Sequence, residues 1–285
     1  MFEKKLSNFN KFLVFFIIIL ILIIITNINI KKDNIKSIDI IISRYNEDLK
    51  WTLLKPFNKF NYIVYNKGTN DNFEKSKVKK IINLDNIGRE GHTYLYHIIN
   101  NYNNLADINV FLPGSLELKY KLIKAKNILY KIIKYNKAFL RLTYIPNVNK
   151  TFYNYKHNDY ESSSNFNKNK SKNKVKLSKN RPFGNWYKYH FGNKNFNYLS
   201  NLGILSVDKK DILNHPISYY QIFFNELNDD SNPEDGFFFE ISMYPLFLPL
   251  NNTIIEINYS DNILFLPHLI YRLPNFIKKN YITDN

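Results

Sequence analysis

The amino-acid sequence predicts an α/β fold in which a mostly parallel central sheet is flanked by helices. Stretches rich in β-branched and aromatic residues, bounded by polar residues, are typical of strands. Four of them occur at residues 37–43, 60–66, 78–84 and 108–113. Helical patterns separate these stretches, and strands that alternate with helices at such intervals usually pair in parallel. We therefore expect helices on both faces of the sheet.

The chain beyond the fourth strand continues this alternation. Residues 116–136 keep apolar side chains at helical intervals and predict a helix. Strand character returns at residues 202–207, and two helical pieces divided at Pro216 follow it. Residues 236–247 form an apolar element that carries one acid, Glu240.

The predicted α/β domain spans residues 38–250. Within it, residues 147–181 are rich in Lys, Asn and Ser and are expected to form a flexible, exposed insertion. Residues 251–285 are expected to form a tail that packs on the domain. The chain has no cysteine, which excludes disulfide bonds and thiolate metal sites.

The amino-terminal region contains an apolar run that predicts a membrane anchor. Residues 12–25 are uninterrupted apolar residues, and the run continues with polar interruptions to Ile30, about the length needed to cross a bilayer. We interpret residues 1–37 as one transmembrane helix, an uncleaved signal-anchor, with a polar stalk. A cleaved signal peptide is the alternative, but no small-residue cleavage site follows. Lysines flank both ends, and the short amino-terminal tail favours a single-pass protein whose domain is lumenal or exterior.

The net charge of +16 suggests an anionic partner, such as a nucleic acid or an anionic surface. Many of the lysines crowd residues 168–181, however, and such a run more often marks a solvated loop. A groove for nucleic acid would also need aromatic side chains on ordered elements, which this stretch does not supply. Composition therefore disfavours nucleic-acid binding.

The stretch "NIGREGHTYLYHIINNY", residues 86–102, predicts an amphipathic helix that begins after the third strand. Its apolar side chains follow a helical spacing at Leu95, Ile98, Ile99 and Tyr102. Asp85 or Asn86 is expected to cap this helix, and Gly88 permits the tight turn from strand to helix.

The start of this helix is a candidate anion site. It lies where open α/β sheets bind ligands, and free N–H groups there attract anions. Arg89 would add a forked cation suited to a diphosphate. The alternatives are that Arg89 pairs with a carboxylate and that His92 is a surface or hydrogen-bonded histidine. The glycines match neither a dinucleotide fingerprint nor a Walker loop, and no acidic partner makes a zinc site with His92.

Several stretches resemble an uncharacterised family, domain of unknown function 3431, over residues 38–248. They are "DIIISRYNEDLKW", "YIVYNKG", "NIGREGHTYLYHIINNY", "VFLPG", "FGNWYKYHFG", "GILSVDKKDILNHPISYYQIFFNEL" and "FFFEISMYPLF". The family usually has Gln-Gly after the "VFL" strand, where this chain has Pro113. The resemblance implies little about activity, because the family's activity is not established.

The order of these motifs also resembles nucleotide-sugar glycosyltransferases of the A fold. The resemblance implies a nucleotide-sugar donor and a glycan or glycoprotein acceptor. In those enzymes an acidic pair after the "VFL"-like strand holds a divalent metal, Mn or Mg, on the donor diphosphate. This chain has Pro113, Gly114 and Ser115 there, so we assign no metal ligand and leave the cofactor open. Arg89, Lys67 and the helix start would then replace the metal.

Glu240 is the candidate general base, because a carboxylate within an apolar run is costly without a role. A salt bridge to a core arginine is its alternative role. The candidate substrate-binding residues are Asn46, Glu47, Asp48, Lys67, Asn86, Gly88, Arg89, Glu90, His92 and Trp186. Glu47 and Asp48 could instead be helix-start acids, and Trp186, proposed to stack on a sugar, could be core. The leading interpretation is a membrane-anchored glycosyltransferase; a non-catalytic, membrane-tethered binding or structural protein is the alternative.

Overall fold

The computed structural model describes residues 13, 15–22, 35–161 and 173–258. Its strands are β1 (Ile38–Arg44), β2 (Tyr62–Asn66), β3 (Val78–Asn83), β4 (Ile108–Pro113), β5 (Phe139–Tyr144), β6 (Tyr198–Leu199), β7 (Leu205–Asp208) and β8 (Ile254–Asn258). Five of them form a central sheet in the order β3-β2-β1-β4-β7. Neighbours from β3 to β4 pair in parallel, and only β7 is antiparallel. The mostly parallel sheet is thereby confirmed.

Helices cover both faces of this sheet. They are α1 (Arg89–Asn100), α2 (Lys119–Tyr135), α3 (Val148–Thr151), α4 (Phe183–Phe191), α5 (Lys209–Ile212), α6 (Ile217–Glu226), α7 (Glu234–Ile241) and α8 (Met243–Leu246). Short 3-10 turns at Lys50–Leu53 and Phe57–Lys59 connect β1 to β2. The helices predicted after the third and fourth strands are both present, as are the two pieces divided at Pro216.

Two separate cores follow from the alternation of side chains along the strands. Ile41 of β1 packs in a cluster with Leu95 of α1 and apolar residues of α6 and α7. Its neighbour Ile40 points to the other face and packs in a cluster with Leu129 of α2 and the 3-10 turns. All four side chains are fully buried, so each helix is held by the apolar face that its sequence period predicts.

A second, three-stranded sheet with the order β6-β5-β8 extends the fold. β5 pairs in parallel with β8 and antiparallel with β6. β8 lies within residues 251–285, the stretch expected to form a tail, and residues 259–285 lie outside the described residues. The sequence patterns did not indicate this second sheet.

The described residues of the basic segment 147–181 are bonded to the domain. Glu234, fully buried at the start of α7, accepts hydrogen bonds from the backbone N–H groups of His157 (2.8 Å) and Ser178 (2.9 Å). Its carboxylate also lies 3.0 Å from Nε of Arg181. Both ends of the segment therefore meet one carboxylate; residues 162–172 lie outside the described residues.

The amino-terminal residues form a unit of their own, Met1–Ser37. Residues 15–22 are helical, and their large apolar side chains are exposed. Among the residues that the structure describes, no helix is both long and apolar enough to cross a membrane. Most of the predicted anchor, residues 12–30, lies outside the described residues.

Candidate functional site

The carboxyl ends of the parallel strands β1 to β4 meet at one edge of the sheet. The chain passes from β1 to β2 and β3 on one side, whereas β4 lies on the other side of β1. Such a change of direction opens a crevice outside the carboxyl ends, where open α/β sheets bind ligands. The loops after these strands carry most of the predicted site residues.

The loop after β1 is held rigidly by a fully buried arginine. Arg44 donates from Nε to the carbonyl of Glu47 (2.7 Å) and from Nη1 to the carbonyl of Asn70 (2.6 Å). The Glu47 carboxylate accepts the N–H groups of Tyr45 (2.7 Å) and Asn46 (3.2 Å). Glu47 thus shapes its own loop, while Asn46 is only partly buried beside it.

Two glycines let the neighbouring loops approach this one. A Cβ atom at Gly114, just after β4, would lie 2.7 Å from the Glu47 carboxylate. A Cβ atom at Gly68, just after β2, would lie 1.6 Å from the carbonyl oxygen of Tyr45. A side chain at Gly68 would require the backbone to move, and one at Gly114 would displace the Glu47 carboxylate. The loops after β1, β2 and β4 therefore form one tightly packed floor at the crevice.

The turn into α1 is closed by a loop from the far end of the chain. Gly88 has the left-handed φ of 59° and occupies the N-cap position. Its N–H donates to the carbonyl of Asp230 (2.7 Å), and its Cβ would lie 2.4 Å from the carbonyl oxygen of Leu227. The predicted cap by Asp85 or Asn86 is wrong: Gly88 occupies the N-cap position of α1, and both residues are exposed.

Glu90 occupies the start of α1 with its own carboxylate. Burial raises the pKa of Glu90, but Arg89, Lys121 and its own backbone N–H outweigh burial and leave that pKa below the ordinary value. The expected anion at the helix start is therefore supplied from within the chain. Lys67 stabilises the same turn, since its buried Nζ donates to the carbonyls of Ile87 and Arg89 (2.7 Å for the latter). Burial lowers the pKa of Lys67 to about 7.

Arg89 lies between α1 and the loop before α7. Its Nη1 donates to the hydroxyl of Tyr160 and to Oδ1 of Asn232 (3.0 Å), and its guanidinium lies 4.3 Å from the ring centre of Phe237. Nε is 3.8 Å from the Glu90 carboxylate. Nη2 makes no hydrogen bond within the described part of the chain. Arg89 is thus largely engaged by the protein, with one N–H edge left for a ligand.

Glu240 on α7 belongs to the same charged cluster as Arg89. Burial, together with the charge of Glu90, raises the pKa of Glu240, although Arg89, Lys121 and Lys124 oppose the rise. The charge of Arg89 therefore acts on two carboxyl groups whose pKa values shift in opposite directions. Opposite pKa shifts in neighbouring carboxyl groups are typical of enzyme sites in which acid and base roles are divided.

Two predicted site residues lie in the interior instead. His92 pairs through Nε2 with Asn228 (3.2 Å) and stacks on Phe224, and burial lowers its pKa to about 4. Trp186 is fully buried, and its indole N–H donates to Glu226 (2.9 Å). A neutral, packed histidine and a covered indole stabilise the core, so neither side chain presents a surface to a substrate.

The residues at this edge do not fit a divalent metal. Among the described residues, no three His, Asp or Glu side chains converge as metal ligands. After β4, which ends at Pro113, the Ser115 hydroxyl accepts a hydrogen bond from Lys121 (2.8 Å). The Asp48 carboxylate accepts the N–H of Lys50 (3.0 Å). A metal on a diphosphate takes one or two carboxylates from the protein, and Glu47 and Asp48 after β1 already accept backbone N–H groups.

Sequence reasoning missed four members of the cluster. Lys121 and Lys124 lie three positions apart on α2, a spacing that puts both on one side of the helix. Tyr160 and Asn232 reach Arg89 from positions far along the chain. The lysine spacing was a readable signal, whereas the other two contacts depend on tertiary structure.

These features define an α/β protein with a charged cluster at the switch point of a mostly parallel sheet. The family model described as "Protein of unknown function (DUF3431)" matches residues 40–249, and the chain belongs to this family. A search of curated proteins finds no match to the chain.

Proposed function

We propose that this protein is a membrane-anchored enzyme of the glycosyltransferase kind, which moves a sugar from a nucleotide donor to a hydroxyl of a glycan or glycoprotein. One observation carries the proposal. Glu240 and Glu90 both interact electrostatically with Arg89, near the carboxyl edge of a parallel sheet, and their pKa values shift in opposite directions. The order of motifs along the chain, similar to that of A-fold glycosyltransferases, supports the same reaction class.

Glu240 acts as the general base in this proposal. Its carboxylate takes the proton of the acceptor hydroxyl while that oxygen forms a bond to the anomeric carbon of the donor sugar. The bond from the anomeric carbon to the phosphate oxygen breaks, and its electron pair leaves with the nucleoside diphosphate. Because the pKa of Glu240 is raised above the ordinary carboxyl value, it lies closer to neutral pH, where a general base is most effective.

The leaving diphosphate gains negative charge that cations must stabilise. Arg89 offers its Nη2 edge, and Lys121 and Lys124 lie in electrostatic reach of Glu90 or Glu240. Because Glu90 occupies the helix start, the diphosphate lies beside Arg89 and not on the N–H groups of α1. No step of this proposal passes through a metal.

The apolar run at residues 12–30 is proposed to anchor the protein in a single pass, with the domain lumenal or exterior. Its length and composition support this placement. Protease protection of the domain in sealed membrane vesicles tests it. Cleavage of the domain in intact vesicles of cytoplasm-out orientation would contradict the proposed side.

The reaction is tested on the full-length chain in detergent. Nucleotide sugars are screened by thermal shift, with and without Mn²⁺, because a ligand that binds the native state raises the melting temperature. Glu240→Gln should lower transfer or donor hydrolysis by about 100-fold or more, with little change in melting temperature. Asp229→Asn, a matched change at an exposed acid paired with Lys176, should leave the rate unchanged. Equal activity of Glu240→Gln would remove this residue from the mechanism.

A non-catalytic binding protein is the second candidate, and one observation favours it. Tyr160, Asn232 and Glu90 already engage Arg89, and Glu90 fills the helix start. A cationic side chain whose hydrogen bonds and ion pairs are all within the protein is typical of structural networks as well as of catalytic sites. Glycan binding that survives Glu240→Gln, without any turnover of donors, would decide for this candidate.

A further inference from the structure

The exposed face of α2 has an unusual composition. The helix Lys119–Tyr135 contains six lysines and no acidic residue. Helical geometry puts one set of its residues within an arc of about 100°. This set, which we call the lysine face, consists of Lys119, Ile123, Lys126, Tyr130, Ile133 and Lys134. The buried side of the helix, with Ala125, Ile128, Leu129 and Ile132, packs on the sheet.

The lysine face differs from an ordinary solvated helix face in two ways. Ile123, Tyr130 and Ile133 are exposed by 48%, 47% and 41% of their surfaces. A solvated face normally pairs Lys with Glu at helical spacing, whereas α2 offers no carboxylate to its lysines. Lysines attract anionic headgroups, and exposed apolar and aromatic side chains can enter the interface of a bilayer.

The position of the domain along the chain supports the same partner. Only residues 31–37 separate the end of the apolar run from β1, and seven residues span at most about 25 Å. A domain of about 220 residues is about 40 Å wide. If the run spans a bilayer, as proposed above, some face of the domain must therefore stay within reach of the lipid headgroups.

We propose that the lysine face of α2 docks on the surface of a bilayer that contains anionic lipids. The lysines contact the headgroups, and Ile123, Tyr130 and Ile133 enter the interface between them. The proposal rests in part on the single-pass anchoring in the preceding subsection, but not on the side of the membrane proposed there. Each lysine near an anionic surface strengthens partitioning by about fivefold, so the electrostatic contribution is large enough to select this face.

The test places a fluorescent reporter at the centre of the face. The full-length Tyr130→Trp variant is reconstituted into liposomes with brominated acyl chains, made of phosphatidylcholine alone or with phosphatidylserine. Brominated chains quench only an indole that reaches the bilayer. Tyr189→Trp, at an exposed tyrosine of α4 (69% exposed), is the matched control, and the buried Trp51 and Trp186 give the common background.

The expected result is quenching of Tyr130→Trp in liposomes with phosphatidylserine, little quenching in phosphatidylcholine alone, and none of Tyr189→Trp in either. Adding Lys126→Glu and Lys134→Glu should weaken docking by about 25-fold or more and abolish the quenching. These side chains lie outside the core, and circular dichroism verifies that the variants fold.

Three results would overturn the proposal. The first is no quenching of Tyr130→Trp in anionic liposomes with which the protein floats. The others are equal quenching with and without phosphatidylserine, and unchanged quenching after Lys126→Glu and Lys134→Glu. An emission change with an RNA oligonucleotide but not with anionic liposomes would assign the face to nucleic acid instead. Failure of the chain to float with phosphatidylcholine liposomes contradicts the proposed anchor alone, because added anionic liposomes still test the lysine face.

Discussion

Replacing Gly88 with alanine should strongly destabilise the domain, because two independent penalties coincide there. The left-handed conformation at φ 59° costs a residue with a Cβ atom about 1–2 kcal/mol. The new Cβ would also lie 2.4 Å from the carbonyl oxygen of Leu227 and 2.6 Å from Cβ of His92. Crowding of this kind costs about 1–3 kcal/mol. The expected loss in the free energy of unfolding is therefore about 2–5 kcal/mol.

A matched pair of variants isolates the conformational part of this loss. Asn136, at the end of α2, is also left-handed, with φ 52° and ψ 40°, and already accommodates a Cβ atom. The difference between Asn136→Ala and Asn136→Gly should therefore be about 1–2 kcal/mol. Urea unfolding of the full-length variants in one detergent, followed by tryptophan fluorescence, measures both quantities. If Gly88→Ala costs no more than the difference at Asn136, the contact with Leu227 is not as close as described.

Three further outcomes are expected. Arg89→Ala should weaken binding of a nucleotide sugar by about 10-fold or more but leave binding of the bare nucleoside unchanged in calorimetry; equal affinity for the nucleotide sugar would make Arg89 structural. Burial lowers the pKa of His92 and of His97 from 6.5 to about 4, so the unfolded chain takes up these protons first. The free energy of unfolding should therefore fall as the pH is lowered from about 6.5 to 4, by up to about 1.4 kcal/mol per pH unit for each histidine. His97→Gln should remove the contribution of one histidine, measured by urea titrations at several pH values. An unaltered pH slope would show that His97 does protonate in the folded protein. Glu234→Gln should lower the free energy of unfolding by about 1.5–3 kcal/mol in the same urea assay, because the hydrogen bonds from this side chain to two chain segments weaken. A loss smaller than that from breaking an exposed ion pair would exclude a buried, stabilising role for Glu234.

The central sheet was readable because local composition and burial agree. β1, β2 and β4 are rich in β-branched and aromatic residues, which is typical of strands covered on both faces. β5 was missed because it begins only four residues after α2 ends, so its apolar residues merge with the helical pattern. Its parallel partner β8 lies more than 100 residues further on, and such a pairing leaves no local signature.

The candidate site was readable in part for the same reason. The position of Arg89 and Glu90 at a helix start after a strand follows from local pattern alone. The carbonyls that cover Gly88 come from Leu227 and Asp230, about 140 residues away, and no spacing rule reveals them. Burial of Trp186 likewise depends on elements that meet only in the folded chain.

A backbone bridge between Tyr160 and Asn173 holds together the two chain positions that border residues 161–172. The N–H of Asn173 donates to the carbonyl of Tyr160 (2.8 Å), and the reverse bond measures 3.3 Å. When the two ends of a loop are fixed in this way, lengthening the chain between them raises the entropic cost of loop closure by about 0.6 kcal/mol for each doubling in length. The interval is therefore a suitable place to splice a purification tag or an internal fluorescent protein. Tyr160, which holds Arg89, should be kept intact in any such fusion.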